Sequence, residues 1–330
     1  MPPTSRFAPR LALYGLLAVG LVLRLLMIGN EGFHNDIASF EGWALQLGQH
    51  PYSEFYSPSR FADYPPGYFY ILGLIGHLYT PFQSHDPTYG LLKVLVKLPA
   101  IIMDMVDAVL VYAIVLRFAS VRTALVSAAL VALNPAIIYI SAAWGQVDSV
   151  AAGLALGGVW LLLRSDDGDP ERRASWPIAL AWLALTYSIL IKPQAAILVP
   201  LFVAFTFAAK TRLRSRLLGT TIGIIASLVL TWLVTLPFHP TANPIDSFGW
   251  LYGKYVFGKN VYAFNSVNAF NLWTIKFPFW QLDNQKIIFL PQYLWGLLLL
   301  VAATVLTIVR YLQTRTPRAR LESAAILLLA

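Results

Sequence analysis

Cysteine is absent from this chain of 330 residues, which excludes a disulfide framework and any metal site built on thiolates. Charge is scarce as well. Only 12% of the residues are Asp, Glu, Lys or Arg, where a soluble domain carries about 25%. The apolar runs lack the period-2 alternation of barrel strands. No internal repeat is visible either, which weakens any reading that needs two inverted halves. What the chain has instead is 58% hydrophobic residues and a mean hydropathy of +0.63. These residues gather in runs of about 20, the length that crosses the hydrocarbon of a bilayer as a helix. Inside lipid a helix satisfies every backbone N–H and C=O internally, so the composition predicts an all-α polytopic membrane protein.

Spans are expected near 10–29, 98–117, 121–143, 147–163, 177–191, 193–208, 217–237 and 288–309. The first run has no small-residue cleavage site and reads as a retained helix rather than a signal peptide. Residues 323–330 resemble the opening of a further span, so a single domain over 1–330, truncated at its C-terminus, is expected. The net charge of +8 does not point to nucleic acid, because Lys and Arg fall in short turns between apolar runs. The segments 1–10, 117–122, 164–176, 209–216 and 310–320 hold 15 of the 24 cations and should face the cytoplasm. That count also bears on residues 67–80. Were they to cross, every later loop would invert, so they are expected to lie on or dip into the outer surface, with Tyr68, Tyr70 and Tyr79 at headgroup level. A short tilted span is the alternative.

Two large outer loops follow, 30–97 and 238–287, and a site on the outer face explains them most simply. Asp36 stands just beyond the first span, where a carboxylate can accept a proton from a bound hydroxyl. Asn35 or Asp36 as the N-cap of a helix over 37–47 would look the same in sequence. Asp63-Tyr64-Pro65-Pro66-Gly67 reads as an extended entry into a helix with Pro at its first position, and its aromatics as an interfacial belt. In the second span Lys97 and Asp104 share a helix face, with Asp107 about 80° away, so these charges should face protein or a wet cavity. Trp144-Gly145-Gln146-Val147-Asp148-Ser149 opens the fourth span, where capping competes with ligand binding. Lys192 before Pro193 and Gln194 is either a snorkelling cation or a phosphate ligand. Asn265, Asn268 and Asn271, spaced by three, would form a polar stripe on a helix, suited to sugar or to packing. Arg24, inside the first span, should snorkel or pair.

Taken in order, Asn35-Asp36…Trp43, Asp63-Tyr-Pro-Pro-Gly67, Lys97-Leu-Pro99…Asp104, Asn134-Pro135, Trp144-Gly-Gln-Val-Asp148, Lys192-Pro-Gln194 and Asn268-Ala-Phe-Asn-Leu-Trp273 resemble the GT-C superfamily of membrane glycosyltransferases. The likeness is strongest to the bacterial group related to GPI-anchor mannosyltransferase II, and Asp36 with Tyr-Pro-Pro is also similar to dolichyl-phosphate-glucose-dependent glucosyltransferases. The resemblance implies a GT-C-type helix bundle with surface helices in the first outer loop. It implies a polyprenyl-phosphate-sugar donor, a lipid or glycan acceptor, and inverting transfer of a mannose or glucose on the extracytoplasmic face of a cell membrane. Asp36 matches the family's acidic base. Asp63, Tyr64, Lys97, Asp104, Trp144, Gln146, Asp148, Lys192, Gln194, Asn268 and Asn271 match its substrate-binding positions. Lys192, Lys254, Lys259, Arg60 and His239 are the outer cations that could meet a phosphate. Asp36, Asp63 and Asp148 could ligate a Mg²⁺ or Mn²⁺ ion. Two readings of other classes compete: a transporter or flippase of lipid-linked sugars, and a non-catalytic assembly subunit.

Overall fold

The apolar runs fold as helices throughout. In the computed structural model, residues 4–165, 175–208, 212–267 and 271–314 are described, together with 316, 318 and 322. In chain order the helices are α1 (Thr4–Met27), α2 (His34–Gln49), α3 (Phe69–Tyr79), α4 (Gly90–Val115), α5 (Val121–Ala132), α6 (Pro135–Ile138), α7 (Asp148–Ser165), α8 (Ser175–Ile191), α9 (Val199–Ala208), α10 (Leu213–Thr235), α11 (Pro244–Val261) and α12 (Gln292–Thr314). Among the described residues the only sheet is a hairpin of two-residue strands, β1 (Lys286–Ile287) and β2 (Leu290–Pro291). Five segments are long and apolar enough to cross a membrane: Ala8–Met27, Gly90–Val115, Val121–Trp144, Leu213–Thr235 and Gln292–Thr314. Helix α7 and the shorter apolar stretches Ser175–Ile191 and Pro193–Phe207 pack among them. The chain is an all-α polytopic integral membrane protein.

Prolines break two of the expected spans, and each break sits beside a polar site. Asn134 caps α6, its side chain accepting from Ala136 N at 2.9 Å, and Pro135 takes the first helical position. A π-helical turn over Tyr139–Trp144 follows and ends at Gly145, whose φ of 93° favours glycine. The expected span over 121–143 is therefore built of three helical pieces, which together still run as one segment, Val121–Trp144, long enough to cross. Pro193 likewise turns the start of the next span into a 3₁₀ segment, Pro193–Leu198, ahead of α9.

The charges expected to face protein do so. Arg24 and Asp104 are fully buried, with Arg24 Nε donating to Asp104 Oδ2 at 2.6 Å. Ser141 Oγ donates to the same oxygen at 2.6 Å, Ser149 donates to Oδ1, and the guanidinium also reaches the carbonyl of Ala132 at 2.6 Å. One knot thus ties α1, α4, the end of α5, the π turn and α7. Lys97 is buried higher on α4 and donates to the carbonyls of Asn30 and Ile28 at 2.6 and 3.1 Å, where α1 has ended and its last carbonyls lack helical partners.

The stretch near 67–80 forms α3, 11 residues long and thus about 16 Å, too short to span. It packs beside α2, where Gly48 and Gly76 let the two backbones touch: a Cβ at Gly48 would come within 2.5 Å of Gly76. Three expectations are corrected here. Tyr68 and Tyr79 do not face headgroups but are fully buried, because an apolar helix this short hides its face against protein. Tyr70 is half-buried and donates to Val234 O at 2.9 Å. The helix starts at Phe69 rather than at the prolines, since Gly67 N bonds to Leu190 O at 2.8 Å and pins the Pro-Pro turn onto the end of α8. An aromatic core (Phe40, Trp43, Phe55, Phe69, Phe238) fills the space between.

Candidate active site

At the end of the bundle where α1, α5–π, α8 and α10 finish, a cavity of about 560 Å³ opens. Its lining includes Asp36, Asp63, Tyr64, Gln146, Lys192 and Gln194, six of the residues expected from sequence. They come from four separate stretches, which helix ends and the loops between helices bring together.

Asp36 lies in the first turn of α2, but it does not cap it. The N-cap position is Phe33, with no side-chain hydrogen bond, so the capping alternative for Asn35 and Asp36 is set aside. The Asp36 carboxylate turns instead across to the π turn. Trp144 Nε1 donates to its Oδ2 at 2.7 Å, and Gln146 Nε2 donates to the same oxygen at 2.5 Å. Among the described residues Oδ1 accepts nothing. The fit between these two stretches is tight: a Cβ on Gly32 would meet Trp144 O at 2.6 Å, and Phe33 N bonds to Trp144 O at 3.1 Å.

Gln146 links the carboxylate to a cation. Its Oε1 accepts from Lys192 Nζ at 3.1 Å and from Tyr64 Oη at 3.3 Å, which leaves its amide N–H groups facing Asp36. Lys192 is itself committed, to Asp148 Oδ1 at 2.5 Å and over the Tyr64 ring at 5.3 Å. Across the cavity Asp63 is half-buried. Loss of water raises its carboxyl above the ordinary value, against an opposing hydrogen bond from Tyr262 and the Lys192 charge. The Tyr262 hydroxyl is pushed up to about 12 by burial and by Asp63, so it remains a donor.

Helix α11 supplies a wall that the sequence reading did not assemble. Tyr255, Gly258, Lys259 and Tyr262 all line the cavity. The spacing of Tyr255, Gly258 and Lys259 by three and four places them on one helical face, with Tyr262 at the C-cap, a signal present in the sequence but masked by the low amphipathicity of the segment. Of the five outer cations considered, only Lys192 and Lys259 reach the cavity. Lys254 lies 4.3 Å above the Tyr56 ring, His239 stacks on Trp250, and Arg60 donates to the Phe55 carbonyl at 2.8 Å. Lys97 and Asp104 stay in the interhelical packing described above. Trp144 and Asp148 touch the site only through Asp36 and Lys192. Asn265 and Asn271 do not lie on a helix: Asn265 accepts from Ser266 N at 2.6 Å, and Asn271 caps the 3₁₀ turn Leu272–Ile275. Their short amides find backbone partners in place of a helix. Asn268 lies outside the described residues. No group of three or more acidic or imidazole side chains placed to hold a metal occurs among the described residues.

The cavity thus gathers acid, amide, cation and tyrosine groups at one end of a bundle of apolar helices. Residues 63–235 match the model of the dolichyl-phosphate-mannose-protein mannosyltransferase family. The chain belongs to that family, within the GT-C superfamily, and is a membrane glycosyltransferase that uses a polyprenyl-phosphate sugar donor. No curated protein matches it.

Proposed function

We propose that the chain transfers one hexose, a mannose or a glucose, from a polyprenyl-phosphate-sugar to an acceptor hydroxyl on the extracytoplasmic face, with inversion at the anomeric carbon. The observation that carries this reading is Asp36. Trp144 and Gln146 hold one carboxylate oxygen, and the other is open to a hydroxyl in the cavity. Asp36 precedes the stretch matched by the family model, so its role rests on this geometry and on the order of the motifs.

In the reaction the acceptor oxygen attacks C1 as Asp36 takes its proton. The C1–O bond to phosphate breaks, and the lipid phosphate leaves with the electron pair. Phosphate is a good leaving group already, so it needs positive charge rather than a proton donor. Lys259 is suited to it, since Lys192 is neutralised by Asp148 and the described residues offer Lys259 no carboxylate. Lys192 then serves to orient Gln146 toward the base. Asp63, Tyr64, Tyr262 and Gln194 are placed to bind sugar hydroxyls. Should a divalent cation take part, Asp36 and Asp63 are the cavity carboxylates open to it, because Asp148 is held by Lys192. The resemblance to the group related to GPI-anchor mannosyltransferase II favours mannose.

Purified protein in liposomes is to be given labelled polyprenyl-phosphate mannose and glucose, with and without chelator, and the anomer of the product determined. One sugar passing to the acceptor with inversion is expected. Retained configuration, or transfer of neither sugar, overturns the reading.

A further inference from the structure

The hairpin between α11 and α12 carries the wrong residues for its turn. Strands β1 and β2 pair Lys286 with Pro291 and Ile287 with Leu290, which leaves Ile288 and Phe289 as a two-residue loop. Such loops favour Asn-Gly or another pair that tolerates positive φ. Ile288 has a φ of 62°, where a β-branched residue is a genuine outlier. It is also 85% exposed, and Phe289 is 64% exposed. Strain and exposed apolar surface at the same two residues oppose folding in water, and a second environment must offset them.

The position of the hairpin names that environment. Its loop stands immediately before a helix of 23 residues that crosses the bilayer, and it is strapped to that helix's first turn. Trp295 Nε1 donates to Ile287 O at 3.0 Å, and the Phe289 and Trp295 rings lie 5.5 Å apart. Gln292 N and Tyr293 N donate to the carbonyls of Gln285 and Asp283, so the loop also closes the helix start. The tip is thereby held at the depth of Tyr293 and Trp295, the aromatic level of a membrane boundary. Lys286 is exposed beside it, of a sign that suits anionic headgroups.

We infer that the Ile288–Phe289 tip is a membrane anchor that inserts into the headgroup layer of the bilayer around α12. The anchor also reaches the cavity wall. Residues 280–283 run along 263–266, with Asn265 N bonded to Gln281 O, Trp280 N to Ser266 O and Asp283 N to Ala263 O at 2.8, 2.8 and 3.1 Å. Tyr262 and Val267, at either end of that ladder, line the cavity. Lipid contact at the hairpin therefore fixes the height of this wall at the level where a lipid-linked phosphate lies. The anchor itself does not depend on which sugar is transferred or on which residue is the base.

The absence of cysteine gives a clean test. Ile288→Cys, Phe289→Cys and, as the aqueous control, Asn284→Cys are each labelled with an environment-sensitive fluorophore in the full chain in nanodiscs. Two quenchers are then compared, a lipid carrying a spin label near its headgroup and iodide in water. Labels at 288 and 289 should be shifted to the blue and lose most of their intensity to the lipid quencher, while 284 responds mainly to iodide. Equal iodide quenching at all three positions overturns the anchor. Shielding of 288 from both quenchers overturns it too, because a protein surface then covers the tip.

Discussion

At the scale of single residues, the site works by giving each charged group a different partner. Lys192 is tied to Asp148 and Gln146, so Lys259 is the cation we propose for the phosphate. Lys259→Gln should raise the KM for the lipid donor about tenfold, the worth of one charge-assisted hydrogen bond. Lys259→Arg should restore much of it, and donor titration at saturating acceptor reads both. Asp63 gives a second prediction, in pH. Burial raises its folded-state value above that of the unfolded chain. The native state then keeps its proton to higher pH than the unfolded state does, so stability falls as pH rises through that window. Asp63→Asn should remove this fall, and melting curves of the two proteins between about pH 4 and 7 should converge at the acid end and separate above it. Both groups were legible in sequence as candidates, but their division of labour was not. Spacing along a chain cannot say that Asp148 faces Lys192, since they meet only where α7 begins and α8 ends.

Elements were easier to read than contacts. Runs of apolar residues are a signal of length, and length decides whether a helix crosses lipid. Five of the eight expected spans correspond to segments long and apolar enough to cross, while the runs near 147–163, 177–191 and 193–208 form shorter helices. The charge count demotes residues 67–80 from the list of spans, and the 11-residue length of α3 agrees with it. What failed was everything that depends on a neighbour. Aromatics near an apolar run are often interfacial, which is why Tyr68 and Tyr79 read so in sequence; here Tyr68 packs on Phe40 of α2, and Tyr79 is buried with its hydroxyl donating to Asp86 at 3.0 Å. The residues 288–291 were read as part of the last span, yet they fold back as the hairpin. Arg24, Lys97 and Asp104 show the converse. Their cost in lipid predicts that Lys97 and Asp104 face protein or a wet cavity and that Arg24 snorkels or pairs. The knot around Arg24 and Asp104 ties five parts of the chain. Arg24→Met should leave a buried carboxylate without its counter-charge and destabilise the fold by about 3 kcal/mol or more. Arg24→Lys should recover part of this. Thermal unfolding in detergent measures both, and an unchanged midpoint for Arg24→Met would mean that the pair holds nothing together.

For the molecule as a whole, the central question is which way the cavity faces. The cavity residues cluster at one end of the bundle, and most of the Lys and Arg turns belong to the other. By the positive-inside rule we propose that the cavity faces outside. Single cysteines at Ser59 and Ala119, both exposed, report this against the cysteine-free background. Ser59→Cys should react with an impermeant maleimide in intact cells, and Ala119→Cys only after lysis. The reverse pattern would turn the molecule over. Orientation matters because nucleotide sugars stay in the cytoplasm, so chemistry on the far side needs a sugar carried on lipid, which is the donor class of the family. The whole account converges on the carboxylate at the mouth of that cavity. Asp36→Asn keeps an oxygen for Trp144 and Gln146 but cannot take a proton from the acceptor. Transfer of labelled sugar from the polyprenyl-phosphate donor should fall about a hundredfold to ten-thousandfold, with melting temperature and donor binding unchanged. Turnover at the wild-type rate in a folded Asp36→Asn protein would contradict it.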